Sequence, residues 1–133
     1  MEDTKLIEHA KIGASHSYSP YSKFAVGAAL LLDDGQVVLG TNVENCAYGS
    51  TICAERSALM AAISQGYKPD NIKAMAIYHD GDKIIRPCGA CLQVMGELMG
   101  ADGQVIMSSN NNYEKLRVAD LMPYAFSKED IDV

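Results

Sequence analysis

Phe24-Ala-Val-Gly-Ala-Ala-Leu-Leu-Leu32, then Asp33-Asp-Gly35, then Gln36-Val-Val-Leu-Gly-Thr-Asn42, reads as two strands joined by a tight reversal. The first run is continuously apolar, which suits a strand covered on both faces. Two aspartates and a glycine supply the turn chemistry of a hairpin. Upstream, Leu6, Ile7, Ala10, Ile12 and Ala14 fall at helical spacing within residues 4–18, with Thr4 as N-cap. Ser19-Pro20-Tyr21-Ser22 breaks that helix. Downstream, a loop over 45–50 leads to Thr51, the expected N-cap of a helix over 52–65 that stops at Gly66. Ile72 to Tyr78 is a third strand, Asp80-Gly-Asp82 a turn, and Pro87 precedes a helix over 88–99 closed by Gly100. Val105 to Ser108 and Tyr113 to Val118 complete the strands, and residues 118–121 lead to Pro123. The acidic tail, residues 127–133, is expected to be flexible. The order α-β-β-α-β-α-β-β predicts a three-layer α/β/α domain with a mixed sheet of about five strands. With no linker, repeat or low-complexity tract, residues 1–133 are expected to form a single domain.

A chain of 133 residues that is 48% hydrophobic builds a small core, and association is a natural way to cover the apolar surface left over. The net charge of −6 repels phosphate backbones, and the 11 basic residues are scattered, so a nucleic-acid partner is disfavoured. The start, Met1-Glu-Asp-Thr-Lys5, lacks the apolar region of a signal peptide, and no run approaches the roughly 20 residues of a membrane span. A cytoplasmic location is expected. Four cysteines kept reduced there favour metal binding or catalysis over disulfides.

Two segments carry chemistry: Cys53-Ala-Glu-Arg56 and Pro87-Cys-Gly-Ala-Cys91. Cys88 and Cys91 are one turn apart at a helix start, and Cys53 sits at another. Helix N-termini favour thiolates. Three thiolates without an evident fourth ligand suit a catalytic zinc ion, because structural sites are closed by four protein ligands. Such a zinc lowers the pKa of water enough to give a hydroxide nucleophile at neutral pH. Zinc with three thiolates is net negative, so Arg56, on the same helical face as Cys53, is expected to donate to the sulfurs, with Gln93 orienting it. Glu55 lies close to the metal without having to bind it, as a general acid/base requires.

These residues resemble the zinc-dependent cytidine deaminases, within the cytidine/deoxycytidylate deaminase superfamily, and most nearly the small homotetrameric group. The resemblance extends over Tyr18-Ser-Pro-Tyr-Ser-Lys-Phe24-Ala-Val-Gly27, Asn42-Val-Glu44-Asn45, Ala47-Tyr-Gly49 and Leu121-Met-Pro-Tyr-Ala-Phe126. It implies hydrolytic deamination of cytidine and 2′-deoxycytidine to the uridines with release of ammonia, as in pyrimidine salvage. Hydroxide on the zinc would attack C4, with Glu55 as proton shuttle. It further implies that Phe24 packs on the pyrimidine, that Asn42 and Glu44 hold the ribose hydroxyls, and that the Ala54 backbone reads the base edge. Tyr48 and Phe126 would complete pockets shared between subunits. The family often has Arg after the second thiol of the Cys-x-x-Cys; here it is Leu92, so charge balance rests more on Arg56.

Other readings stay open from the residues. Cys88 and Cys91 alone could be a redox pair or half of a structural zinc site in a non-enzymatic interaction module. The same deaminase chemistry could serve blasticidin S or a C4-substituted cytidine. Phe24 could be plain core, and Asn42 and Glu44 an exposed strand edge. Cys46 is not counted as a ligand. His9, His16 and His79 have no ligand spacing and read as structural or surface residues.

Overall fold

A computed structural model describes residues 1–131. Helix α1 spans Asp3–Ser15 and buries Leu6, Ile7, Ala10 and Ala14 along one stripe. It starts ahead of the expected Thr4 cap, because the Glu2 carbonyl already accepts from the Lys5 and Leu6 N–H groups. Strand β1 runs Val26–Leu32 and β2 runs Val37–Thr41. Between them Gly35 adopts φ 86°, and the Asp34 carboxylate accepts the Gln36 N–H at 2.9 Å, so the expected reversal forms. The strand begins two residues later than the apolar run. Lys23 sits in the left-handed region at φ 60°, and the Phe24 carbonyl is taken by the Asn42 side chain, which keeps residues 23–25 out of the ladder.

Helix α2 covers Ala54–Ser64, with Cys53 as its N-cap residue. Thr51 was the expected cap, but Ile52 is bound both ways to Val43 at 3.0 Å and is therefore extended. The Thr51 hydroxyl accepts from the Asn45 N–H instead. Strand β3 is Ile72–His79, helix α3 is Gly89–Leu98, β4 is Gln104–Ser108, β5 is Tyr113–Arg117 and α4 is Val118–Leu121. In place of a flexible tail, Lys128–Ile131 forms a short 3-10 turn, with the Ser127 N–H donating to Asp130 at 2.8 Å. The last two residues of that stretch, 132 and 133, lie outside the described residues.

The five strands are ordered β2-β1-β3-β4-β5. Only β3 and β4 are parallel, and α3 makes the crossover that a parallel pair requires. Alternation along the strands divides the core. Ala29, Ala74, Ala76, Tyr78 and Ile106 pack under α1. Leu30, Leu32, Met75, Ile77, Val105 and Met107 pack under α2 and α3. The expected three-layer α/β/α arrangement is therefore what forms. Two glycines let the helices lie close to the sheet: a Cβ on Gly27 would fall 1.9 Å from the Ala10 carbonyl oxygen, and one on Gly40 would fall 2.3 Å from that of Ala54. The second contact seats the first turn of α2 directly on β2. No described helix is long and apolar enough to cross a membrane.

Candidate active site

The start of α2, the start of α3 and one end of the sheet meet at three thiols. The Sγ atoms of Cys53, Cys88 and Cys91 all lie within 4.8 Å of one another. Each sits at or just inside a helix start, where unpaired N–H groups favour a negative sulfur. Burial pushes the Cys88 thiol up, but the N–H groups of Cys91 and Ala90 and the neighbouring thiols outweigh it, and Cys88 ends below the ordinary range. Cys91 is fully buried, and burial, with the Glu55 charge beside it, pushes it well above that range. Clustered thiols, of which the buried Cys91 resists ionising unaided, are the donor set a cation would stabilise. Sulfurs on a tetrahedral zinc sit about 3.8 Å apart, for Zn–S near 2.3 Å, so small closing motions suffice. Among the described residues the cluster offers three ligand atoms, which leaves one tetrahedral position for a non-protein ligand. The residues fit zinc.

Arg56 projects back from the first turn of α2, and its Nη2 donates to Cys53 Sγ at 3.4 Å. Contacts with Cys53 and Cys91 raise its pKa, so it is a permanent cation at the sulfurs. Among the described residues its buried Nε finds no hydrogen-bond partner. Gln93, expected to orient Arg56, donates instead to the Phe126 carbonyl at 2.8 Å, because its side chain is turned toward the 122–129 segment. Leu92 packs against the core under α2 and α3, so it contributes apolar contact where an arginine would bring charge.

Glu55 is only 6% exposed, although charged side chains are rarely buried without a partner. Burial pushes its pKa up; its own backbone N–H, the Cys91 thiol and the Arg56 charge oppose that. A carboxyl beside the thiols with a raised pKa is suited to exchanging protons.

Apart from Phe126, the residues tied by resemblance to a nucleoside gather at the same end of the sheet. Asn42 is buried; its Nδ2 donates to the Phe24 carbonyl at 2.7 Å, and its Oδ1 accepts from the Val26 N–H at 3.0 Å. Glu44 accepts from the Tyr21 and Ser22 N–H groups at 3.0 and 3.1 Å and from the Ser22 hydroxyl. The Ser22 hydroxyl, more than the backbone donors, holds this carboxylate below its ordinary range. Glu44, Tyr21, Ser22, Tyr48 and Thr51 line an open cavity of about 400 Å³. Tyr48 meets Tyr21 edge-on at 5.9 Å between centroids and is otherwise exposed. Phe126 is exposed on the other side of α3, beside a separate 640 Å³ cavity that α3, α4 and residues 122–129 enclose. Ala54 is fully buried at the start of α2. Cys46 is exposed and takes no part in the thiol cluster.

Two features were not read from the sequence. Ser22 ties Glu44 to the Phe24 segment, its hydroxyl also accepting the Phe24 N–H at 3.0 Å. His79 lies flat against Phe24, with ring centroids 3.7 Å apart and planes 11° from parallel. A search for ligand spacing passes over such a histidine; its place at the end of a strand leading toward Pro87-Cys88 was the available signal.

Residues 1–109 match the family described as the cytidine and deoxycytidylate deaminase zinc-binding region. The cytidine deaminase of Halalkalibacterium halodurans is 43% identical over 133 residues, which make up 99% of each chain. The crystal structure of cytidine deaminase from Burkholderia pseudomallei superposes with a TM-score of 0.92 at 43% identity, covering 95% of this chain and 100% of that one. Blasticidin-S deaminase of Bacillus cereus is more distantly similar, 26% identical over 133 residues, covering 96% of this chain and 94% of its own.

Proposed function

This chain belongs to the cytidine and deoxycytidylate deaminase family, and from that membership we propose that it hydrolyses cytidine and 2′-deoxycytidine to the uridines and ammonia. The observation that carries the reading is the buried Glu55 beside three thiols that converge from two helix starts. Cys53, Cys88 and Cys91 would hold zinc, which would act as a Lewis acid and bring the pKa of water toward about 7. Glu55 accepts the proton that water loses as its oxygen adds to C4. The same carboxyl delivers that proton to N3, then takes the second proton from the new C4 hydroxyl and passes it to the amine, so that the C4 carbonyl forms as the C4–N4 bond breaks and ammonia leaves. The Ala54 backbone reads the base edge, Phe24 packs on the ring, and Asn42 and Glu44 hold the ribose hydroxyls. Arg56 and the two helix starts offset the thiolate charge, and Leu92 adds nothing to that offset.

The acting unit is one domain over residues 1–133, and we assign it to a homotetramer in the cytoplasm. Tyr48, Tyr124 and Phe126 are 74%, 99% and 57% exposed, an aromatic surface that neighbouring subunits would cover. Thiols that must stay free to bind metal suit a reducing compartment.

The test pairs a zinc assay with the fall in absorbance on mixing with cytidine, deoxycytidine, blasticidin S and C4-substituted cytidines. The expected result is about one zinc per chain and turnover of the first two substrates. Glu55→Gln should keep its zinc and lose about 10²- to 10⁴-fold in kcat. Zinc-loaded protein inert toward both nucleosides would overturn the substrate; full activity in Glu55→Gln would overturn the mechanism.

A further inference from the structure

We infer that His79 is a positioning residue for the pyrimidine: its imidazole backs the Phe24 ring and sets how firmly the base is gripped. The inference rests on the reading of Phe24 as the side chain that packs on the base. Phe24 belongs to the irregular residues 23–25, outside the β-ladder, where backbone hydrogen bonds to Asn42 and Ser22 fix the chain but leave the ring free to turn. The aromatic contact that holds the ring is the nearly parallel stack on His79. One face of Phe24 is covered in this way, yet the residue remains 42% exposed, which leaves surface for a ligand to pack on.

His79 is itself held firmly. It is the last residue of β3, paired in register with Val26, on the same side of the sheet as Ile77 and the α2–α3 layer. Its Nδ1–H donates to the Ala25 carbonyl at 3.1 Å. The following turn presses on its outer edge: a Cβ on Gly81 would fall 3.1 Å from both Cδ2 and Nε2. That turn is anchored in turn, since the Asn110 N–H donates to the Gly81 carbonyl at 2.9 Å and Asn110 Nδ2 donates to Asp80 at 2.6 Å. A rigid strand end thus stands behind a ring on an irregular segment. Ordering one side chain before the ligand arrives is worth about three- to ten-fold in affinity. Because the ring touches the base and not the transferred protons, the effect belongs in KM and not in kcat.

The experiment measures kcat and KM for cytidine in the zinc-loaded enzyme and in His79→Ala, His79→Phe, His79→Asn, Gly81→Ala, Phe24→Ala and the Phe24→Ala/His79→Ala pair. His79→Ala should raise KM about three- to ten-fold with kcat within about two-fold. His79→Phe, which keeps a ring but loses the donor, should restore KM. His79→Asn, which keeps a donor for Ala25 but loses the ring, should behave like His79→Ala. The double variant should be no worse than Phe24→Ala, because His79 acts through Phe24. Gly81→Ala should raise KM in the same direction, and it decides the matter if His79→Ala does not fold. An unchanged KM in active His79→Ala or Gly81→Ala, additive effects in the pair, or rescue by His79→Asn alone would overturn the inference. A wild-type enzyme inert toward cytidine, or an unchanged KM in Phe24→Ala, would instead overturn the reading on which it rests.

Discussion

Asn42 already uses most of its carboxamide inside its own chain. Its oxygen accepts from the Val26 N–H and the Ser17 hydroxyl, and one of its N–H groups holds the Phe24 carbonyl. One N–H is left for a sugar hydroxyl, so the same side chain shapes the Phe24 segment and can contact the ligand beside it. Glu44 is bound in a similar way to Tyr21 and Ser22. The Ser22 hydroxyl and the backbone donors hold its pKa below the ordinary 4.5, so folding favours the ionised form. That contribution is complete above about pH 4.5 and is lost as pH falls through the lowered folded value. Urea titrations of wild type and Glu44→Gln should therefore differ by a constant amount above that pH and converge below it. A gap that widened on acidification would contradict the assignment. From the two-residue spacing it was legible only that Asn42 and Glu44 face one way; their pairing at a ribose came from the resemblance. Their tie to Ser17, Ser22 and Phe24 was not legible, because those partners lie 18 to 25 residues away in sequence.

Helices α2 and α3 deliver Cys53, Glu55, Cys88 and Cys91 because each begins at the residue that bears a thiol. The sequence located both helix starts, yet it put the cap of α2 at Thr51, two residues early. What propensity could not weigh was the Val43–Ile52 bridge, a long-range pairing that keeps the chain extended up to Cys53. Gly40 then fixes the height of α2 above the sheet. A Cβ there would meet the Ala54 carbonyl at 2.3 Å and the Ala58 nitrogen at 2.5 Å, both backbone atoms that cannot swing aside. Gly40→Ala should lift the first turn of α2, cost about 1–3 kcal/mol in chemical denaturation and lower kcat through misplaced Cys53 and Glu55. Wild-type stability and turnover in that variant would show that α2 has more freedom than this contact allows. The mixed sheet and its two core layers followed from the alternation of strands with helices, but the strand order did not. Nor did the start of β1, because Lys23 adopts a left-handed backbone that no propensity assigns to lysine.

At the scale of the whole molecule, the thiols draw together segments that sequence keeps far apart, and metal should report on global stability as well as on activity. Free zinc at 100 times its Kd stabilises a folded state that alone binds it by about 2.7 kcal/mol. Chelation should therefore lower the melting temperature by several degrees or more, reversibly on adding zinc back. A melting temperature indifferent to chelator would place the metal outside the folded core. Light scattering on the same samples gives the mass of the assembly, which the proposed homotetramer puts at four chains. Composition indicated only that some association was favourable; which surfaces meet depends on shape, and that is not written in residue counts. The sulfur cluster has a topological consequence as well. Cys53 and Cys88 bracket all of α2 and β3, so an ion gripping both ends closes the chain into a ring around those two elements. Loading the protein then clips the two ends of that segment together, so that it cannot open without releasing the ion. Amide exchange across 54–79 should slow together when zinc is added, as one closed loop.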